Sequence, residues 1–395
     1  MCSEKINSNP NREKSGSNRL TIEQRGAFSL ISFKNARQVK PNEFKDIFSE
    51  NEIKNDNNYV SRTEQLISQN PGEEDKLAEI FEWLFVTGVQ RGNWLGQRQR
   101  DQKPDFGVDA WQAARYDDLS HKIDAYVTVD VTEPDEECEL PQVVFGVDVT
   151  TANSPRAIFE KLTKSYNGNE ERPFGFSKIK YHLYKGQHTS KDMVPRYVIG
   201  LNRYKAKEFL DSLKTSKDRS FNFASTPENI ISRFEILSEI DVQNQLLCAV
   251  LPDEDDANFS IADKSFGTID RCLHGALRET IDIIMRVGKG AILEDSVYDE
   301  ARRAYDEHQF SKTRNIIEGY LMKKSRISFQ KGLRKDGKEG RIFNSNSDND
   351  DTFCQIMECT RKLIEAARGG KLDNRRATSV RNKGFYIDSS GNVAD

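Results

Sequence analysis

The chain has 395 residues, of which 36% are hydrophobic and 31% charged, with a formal net charge of −4. That length supplies one large or two ordinary domains with a real core. The composition suits polar helices with some disorder, and the net negative charge excludes a uniformly basic nucleic-acid binder while leaving room for a local basic face.

Six cysteines (2, 138, 248, 272, 354 and 359) are scattered without a CxxC pair, and no histidine lies near them in ligand spacing. Zinc and a disulfide framework are therefore not expected. No apolar run approaches the roughly 20 residues of a membrane helix. Met1 to Arg19 also lacks the apolar core of a secretory signal. These features predict a cytoplasmic protein with no membrane segment.

In chain order, residues 1–20 are rich in Asn, Ser, Lys and Glu and predict a disordered tail. Residues 21–33 hold Ile22, Phe28, Leu30 and Ile31 in a short ordered element, and 41–58 predict a helix with Phe44, Ile47 and Phe48 on one face. A break follows at Ser68 to Pro71. Glu73 to Val89 is the clearest early helix: Leu77, Ile80, Phe81, Leu84 and Phe85 make one stripe, and acids crowd the first turn, where they favour the helix dipole. By helical phase Glu74 sits at the edge of the stripe, whereas Glu79 and Glu82 fall on the opposite, solvated side. Trp94 and Trp111 then frame a polar loop carrying Arg91, Arg98 and Arg100. Arginines interleaved with aromatics suit stacking on bases and phosphate contact, and two tryptophans suit packing anchors equally.

Arg115 to Thr151 carries the most chemistry. Ile123, Ala125, Val127, Val129 and Val131 alternate with Asp124, Tyr126, Thr128 and Asp130; Val143, Phe145, Val147 and Val149 alternate with Val144, Gly146, Asp148 and Thr150. Both runs have the period of a strand, and Asp148 and Thr150 share a side. The loop between them, Glu133 to Pro141, is acidic and holds two prolines, as a hairpin loop would. Carboxylates on neighbouring strands repel and lose hydration unless a cation or donors compensate. Asp124 beside Asp148 therefore marks a candidate site for a hard ion such as Mg²⁺. An Asp in a strand is also what an ordinary solvated face presents. Tyr116-Asp117-Asp118 either extends the acidic cluster or caps the turn into the strand.

Ser154 to Gly168 predicts a helix with Ser154 as cap, Pro155 first and Ile158, Phe159, Leu162 and Tyr166 inward. Phe176 to Tyr184 and Arg196 to Leu201 read as strands, with Lys178, Lys180 and His182 on one parity, and Lys205 to Leu213 as a helix on the sheet. From Thr226-Pro227 onward the pattern is helical: 226–246, 267–287, 293–308, 313–322 and 352–368. Such a half can pack on the α/β part, stand as a separate module or form a homodimer. Ser311 to Arg341 holds ten Lys and Arg against three acids, with Lys323, Lys324 and Arg326 at its centre, a run that contacts phosphates or is simply a solvated basic stretch. The expected organisation is a tail at 1–20, an α/β core at 21–225, helices at 226–330, a flexible linker at 331–351 and a last helix with a mobile tail at 352–395. No internal repeat is present.

The order of a helix bearing Glu, a strand bearing Asp, a hairpin and a strand bearing acid-x-residue resembles the PD-(D/E)XK nuclease superfamily. The run YDD…KID…GVDVTT, with KIKYH and PRYVIG after it, is similar to an uncharacterised bacterial group assigned there. The likeness spans roughly Glu73 to Val250. It implies a restriction-endonuclease-like α/β/α core with a mixed central sheet, joined here to a mostly helical C-terminal half.

By that resemblance Asp124 matches the first Asp and Asp148-Val149-Thr150 the (D/E)-x-K triplet, with Glu74 as a third metal ligand from the first helix. Mg²⁺ or Mn²⁺ is implied as cofactor and DNA or RNA as partner, contacted by Arg98, Arg100, Lys323, Lys324 and Arg326. Thr150 departs from the pattern, since Thr supplies neither positive charge nor a group titrating near neutrality. Some members carry the lysine on the following helix, which makes Lys161 and Lys164 its candidates; Lys180 on the next strand is another. The implied activity is phosphodiester hydrolysis. The alternative is a catalytically inactive nucleic-acid-binding or protein-interaction module.

Overall fold

The computed structural model describes residues 38–68, 75–95, 106–131, 142–150, 157–158, 160–162, 175–200, 226–250, 257–335, 352–368, 386–387 and 393–394. After a 3-10 turn at Pro41–Phe44 come α1 (Glu50–Ser68), α2 (Asp75–Gly92), β1 (Phe106–Gln112), α3 (Arg115–His121), β2 (Ala125–Val131), β3 (Gln142–Thr150), β4 (Phe176–Tyr184) and β5 (Gln187–Gly200). The helical part comprises α4 (Pro227–Val250), α5 (Ala257–Val287), α6 (Asp295–Asp306), α7 (Phe310–Lys335) and α8 (Thr352–Arg368). A two-residue ribbon, β6 (Tyr386–Ile387) against β7 (Val393–Ala394), lies in the stretch where the composition predicts a mobile tail.

The five-stranded sheet runs β1-β2-β3-β5-β4. β1, β2 and β3 form an antiparallel meander, β3 and β5 are parallel, and β4 returns antiparallel on β5. The protein is thus an α/β protein with a mixed sheet. β4 and β5 join through Lys185 and Gly186, whose φ values of 47° and 78° are the left-handed pair a two-residue hairpin requires.

β3 sits at the centre, and from Val143 to Thr150 every residue is buried. Alternating side chains supply two faces. Val144 and Gly146 belong to the face that packs with Ile123, Tyr126, Tyr181 and Phe44. A Cβ at Gly146 would stand 2.8 Å from Ile123 Cδ1, so only glycine lets that side chain close over the sheet. On the other face Phe145 meets Tyr197 edge-on at 5.5 Å, and the Tyr197 hydroxyl donates to Asn244 of α4.

β1 is a strand inside the stretch whose polarity suggests a loop. It is an edge strand, paired along its length with β2, and edges tolerate the polar residues that hide its period. Trp111 donates its indole N–H to Asp109, and Trp94 is buried with its ring under Gly88, so both tryptophans are packing groups. Lys205 to Leu213, the acidic hairpin loop, Arg98 and Arg100 lie outside the described residues.

The α3 helix fills what the sequence suggests is a turn, and it resolves the role of Tyr116-Asp117-Asp118. Asp117 is fully buried and accepts the backbone N–H groups of Lys180 and Tyr181 at 2.8 and 3.0 Å as well as His121 Nδ1 at 2.8 Å. It ties α3 to β4. Asp118 pairs with Arg115, and its charge also reaches Asp124, so it extends the acidic cluster.

The helical half packs against the sheet. Among the described residues the outward edge of β5 beyond Pro195 has no neighbouring strand, and α4 takes that place: Gln243 accepts from Val198 N–H at 2.8 Å and donates to Val198 C=O at 2.6 Å, and Glu239 accepts from Gly200 N–H at 2.9 Å. Buried Arg233 joins α4 to Trp94 C=O at 3.1 Å and to Glu279 of α5 at 2.7 Å. α7 runs to Lys335, into the stretch that composition assigns to a linker.

Candidate functional site

Asp124 is the last residue before β2. Its N–H donates to Val147 C=O at 2.9 Å and its C=O accepts from Ala113 N–H at 3.0 Å, which fixes the backbone between β1 and β3. The meander ladder ends there, and side chains continue it. Asp124 Oδ2 accepts from Val149 N–H at 2.6 Å, and the Val149 C=O accepts from the Lys161 ammonium.

Lys161 belongs to the helical stretch after β3. Its Nζ also stands 2.6 Å from Asp148 Oδ1. Asp148 and Thr150 are both buried on one face of β3, as the pleat dictates, with parallel partners Val198 and Gly200 on β5. Two residues before Val198, Arg196 lies opposite Gly146 on the same face and donates from Nη1 to His121 C=O at 3.1 Å.

The electrostatics follow from this crowding. Burial, then the charges of Asp148 and Glu82, push the Asp124 carboxyl well above the usual carboxylate range, and Lys161 pulls it back. Burial works against the Lys161 ammonium, but Asp148 and Asp124 outweigh it and hold that amine above its ordinary value; Arg196 opposes them. Four acids (Glu82, Asp118, Asp124 and Asp148) and two cations, Lys161 and Arg196, thus share one field.

Glu82 corrects the helical-wheel assignment. From Phe81 to Val89 the described side chains of α2 are buried on nearly every side, so the flank opposite the stripe does not face solvent, and Glu82 is half-buried with its charge felt at Asp124. A one-face wheel cannot detect a helix covered twice. Arg196 is read from the sequence only as the start of a strand and not as a site residue, because its position opposite β3 depends on a register that only the folded sheet sets.

Other sequence candidates lie elsewhere. Lys180 is paired with Asp56 of α1 at 2.6 Å and lies over Phe48, Tyr116 and Tyr181, 5.0 to 5.6 Å from their centres. That arrangement pins α1 to β4, and the Lys180 charge belongs to Asp56. Lys323 and Lys324 are exposed on α7, Lys324 over Tyr320 at 5.7 Å. Glu74, Lys164 and the side chain of Arg326 lie outside the described residues. His182 is buried between Thr128 and Thr189, and burial pushes its imidazole down to about 3.

Asp124 and Asp148 each offer carboxylate oxygen, the donor a hard divalent cation takes, and the Asp124 carboxyl is raised by burial and by its acidic neighbours, which an added positive charge would offset. Among the described residues no group of three or more His, Cys, Asp or Glu can hold a metal. The ion would thus rest on the pair and take its other ligands from water and substrate, as Mg²⁺ commonly does.

No family model, no curated protein and no solved structure matches this chain. Among the described residues no helix is long and apolar enough to cross a membrane.

Proposed function

We propose that the protein is a metal-dependent phosphodiester hydrolase of the PD-(D/E)XK type, acting on DNA or RNA. The observation that carries the reading is the Lys161 ammonium on Asp148, 2.6 Å from Oδ1. It puts a cation beside the D-x-T triplet where Thr150 provides none. The chain order supports it too: α2 with Glu82, Asp124 at the head of β2, a return to β3, then the helical stretch that carries Lys161.

In this reading Asp124 and Asp148 hold Mg²⁺ or Mn²⁺, which when bound supplies Lewis acidity and a more acidic water. Glu82 adds negative charge that strengthens the pair's hold on it. Asp124 is fixed by the Val149 N–H, so its carboxylate is oriented before substrate arrives. Lys161, kept protonated by its two acids, orients water or a phosphate oxygen and stabilises developing negative charge; it does not serve as the base. Thr150, one turn of the pleat beyond Asp148, offers a hydroxyl to the same face.

Thr150 and the closed Lys161–Asp148 pair favour a second reading, a binding module of the same fold without turnover. Incubating the protein with labelled DNA and RNA in Mn²⁺ separates the two. The hydrolase reading expects cleavage that EDTA and Asp148→Ala abolish. Binding that persists in EDTA with no product selects the module, and cleavage that survives Asp148→Ala removes this site from the reaction.

A further inference from the structure

A cleft lies in the helical half, where α4, α5, α7 and α8 meet. Its volume is about 490 Å³, within the range of small-molecule sites. Phe310 supplies the accessible apolar lining, while Met357 and Ile364 are buried in the wall, and the Phe310 ring packs on His274 at 4.9 Å.

The charges around this lining are unbalanced. Arg314 is nearly buried and is held by Asp241 and Glu318, each at 2.7 Å. Arg361 pairs with the other oxygen of Glu318 at 2.8 Å. Both guanidiniums are therefore occupied by acids that form the base of the cleft. Two further lining carboxylates, Asp270 on α5 and Glu365 on α8, are exposed, so the lining carries four carboxylates against two guanidiniums. Partial burial, and then the charge of Asp241, push the Asp270 carboxyl up, against His274, Arg314 and a hydrogen bond with Asn244.

We infer that this cleft binds a small organic cation, an amine whose hydrocarbon body lies on Phe310 and whose charged nitrogen meets Asp270 and Glu365. The apolar lining favours a cation that carries hydrocarbon. The described acids also do not gather closely enough to hold a metal, which favours an extended amine over a bare divalent ion. The partner is thus of the alkylamine or polyamine class.

The test is calorimetric titration of the full chain with spermidine at low and moderate salt. The expected result is saturable binding at one site, weakened about tenfold or more by Asp270→Asn and separately by Glu365→Gln, and unchanged by Asp148→Asn. Both rim residues are exposed, so neither variant threatens the fold, and the second checks the first. Absence of saturable binding overturns the inference. So does binding that both rim variants leave intact, which would locate the amine on the general acidic surface. Equal binding of Mg²⁺ at the cleft, competing with spermidine and lost in the same variants, would overturn the choice of an organic ligand.

Discussion

Val149 shows how little the candidate site leaves to side-chain flexibility. Its N–H fixes Asp124 and its C=O receives Lys161, so the acid and the cation are anchored to the backbone of one residue in a buried strand. Lys161→Met keeps the length of the side chain and removes its charge. Under the hydrolase reading it is expected to lower the cleavage rate about a hundredfold or more, with the circular dichroism spectrum unchanged. A variant that cleaves normally would show that the ammonium takes no part.

A second residue-scale prediction concerns His182. Its native imidazole gains a proton only near pH 3, whereas in the unfolded chain it does so near about 6.5. Between those values the unfolded state binds more protons. The contribution of His182 is therefore complete above about pH 6.5 and is lost as the pH falls towards 3, on the order of 2 kcal/mol by about pH 5. Urea midpoints measured from about pH 7.5 to 5 should fall in the parent and fall less in His182→Gln. Parallel pH profiles would contradict the account.

At the scale of elements, α4 acts as a surrogate strand. A bare edge on β5 would leave Val198 and Gly200 with unpaired backbone groups in a buried place, and the Gln243 amide has both the donor and the acceptor that Val198 needs. Gln243→Ala removes both bonds at once and is expected to destabilise the protein by about 2 kcal/mol or more in urea unfolding. A loss under about 0.5 kcal/mol would show that the edge is satisfied without the helix. Gly200 belongs to the same junction: a Cβ there would run into Thr352 and Ile356 of α8, so the end of β5 and the start of α8 fit only because glycine is present.

At the scale of the whole molecule, these contacts hold the helical half against the α/β part. It is a wall of the sheet. Tyr197, Val198 and Gly200 all complete their hydrogen bonds on α4, and buried Arg233 joins that helix to α5 and to the end of α2. A chain ended at Ser225 would expose the Phe145–Tyr197 face and the β5 edge. It is expected to unfold without a cooperative transition, where the full chain shows one. A sharp transition of the truncated chain would mean that the sheet carries its own core.

The sequence by itself determined the parts that depend on local period. The alternation in 123–131 and 142–150 gave β2 and β3 their positions, Thr226-Pro227 marked the start of α4, and the parity of Asp148 and Thr150 placed them on one face. What depended on register and on double coverage was decided only by tertiary structure. The field at Asp124 from Glu82, the place of Arg196 opposite β3, the capture of Lys180 by Asp56 and the strand status of β1 all involve neighbours distant in sequence. The physical reason is that a residue's period fixes which way it points within its own element, while its charge, burial and partner are set by the element that packs against it.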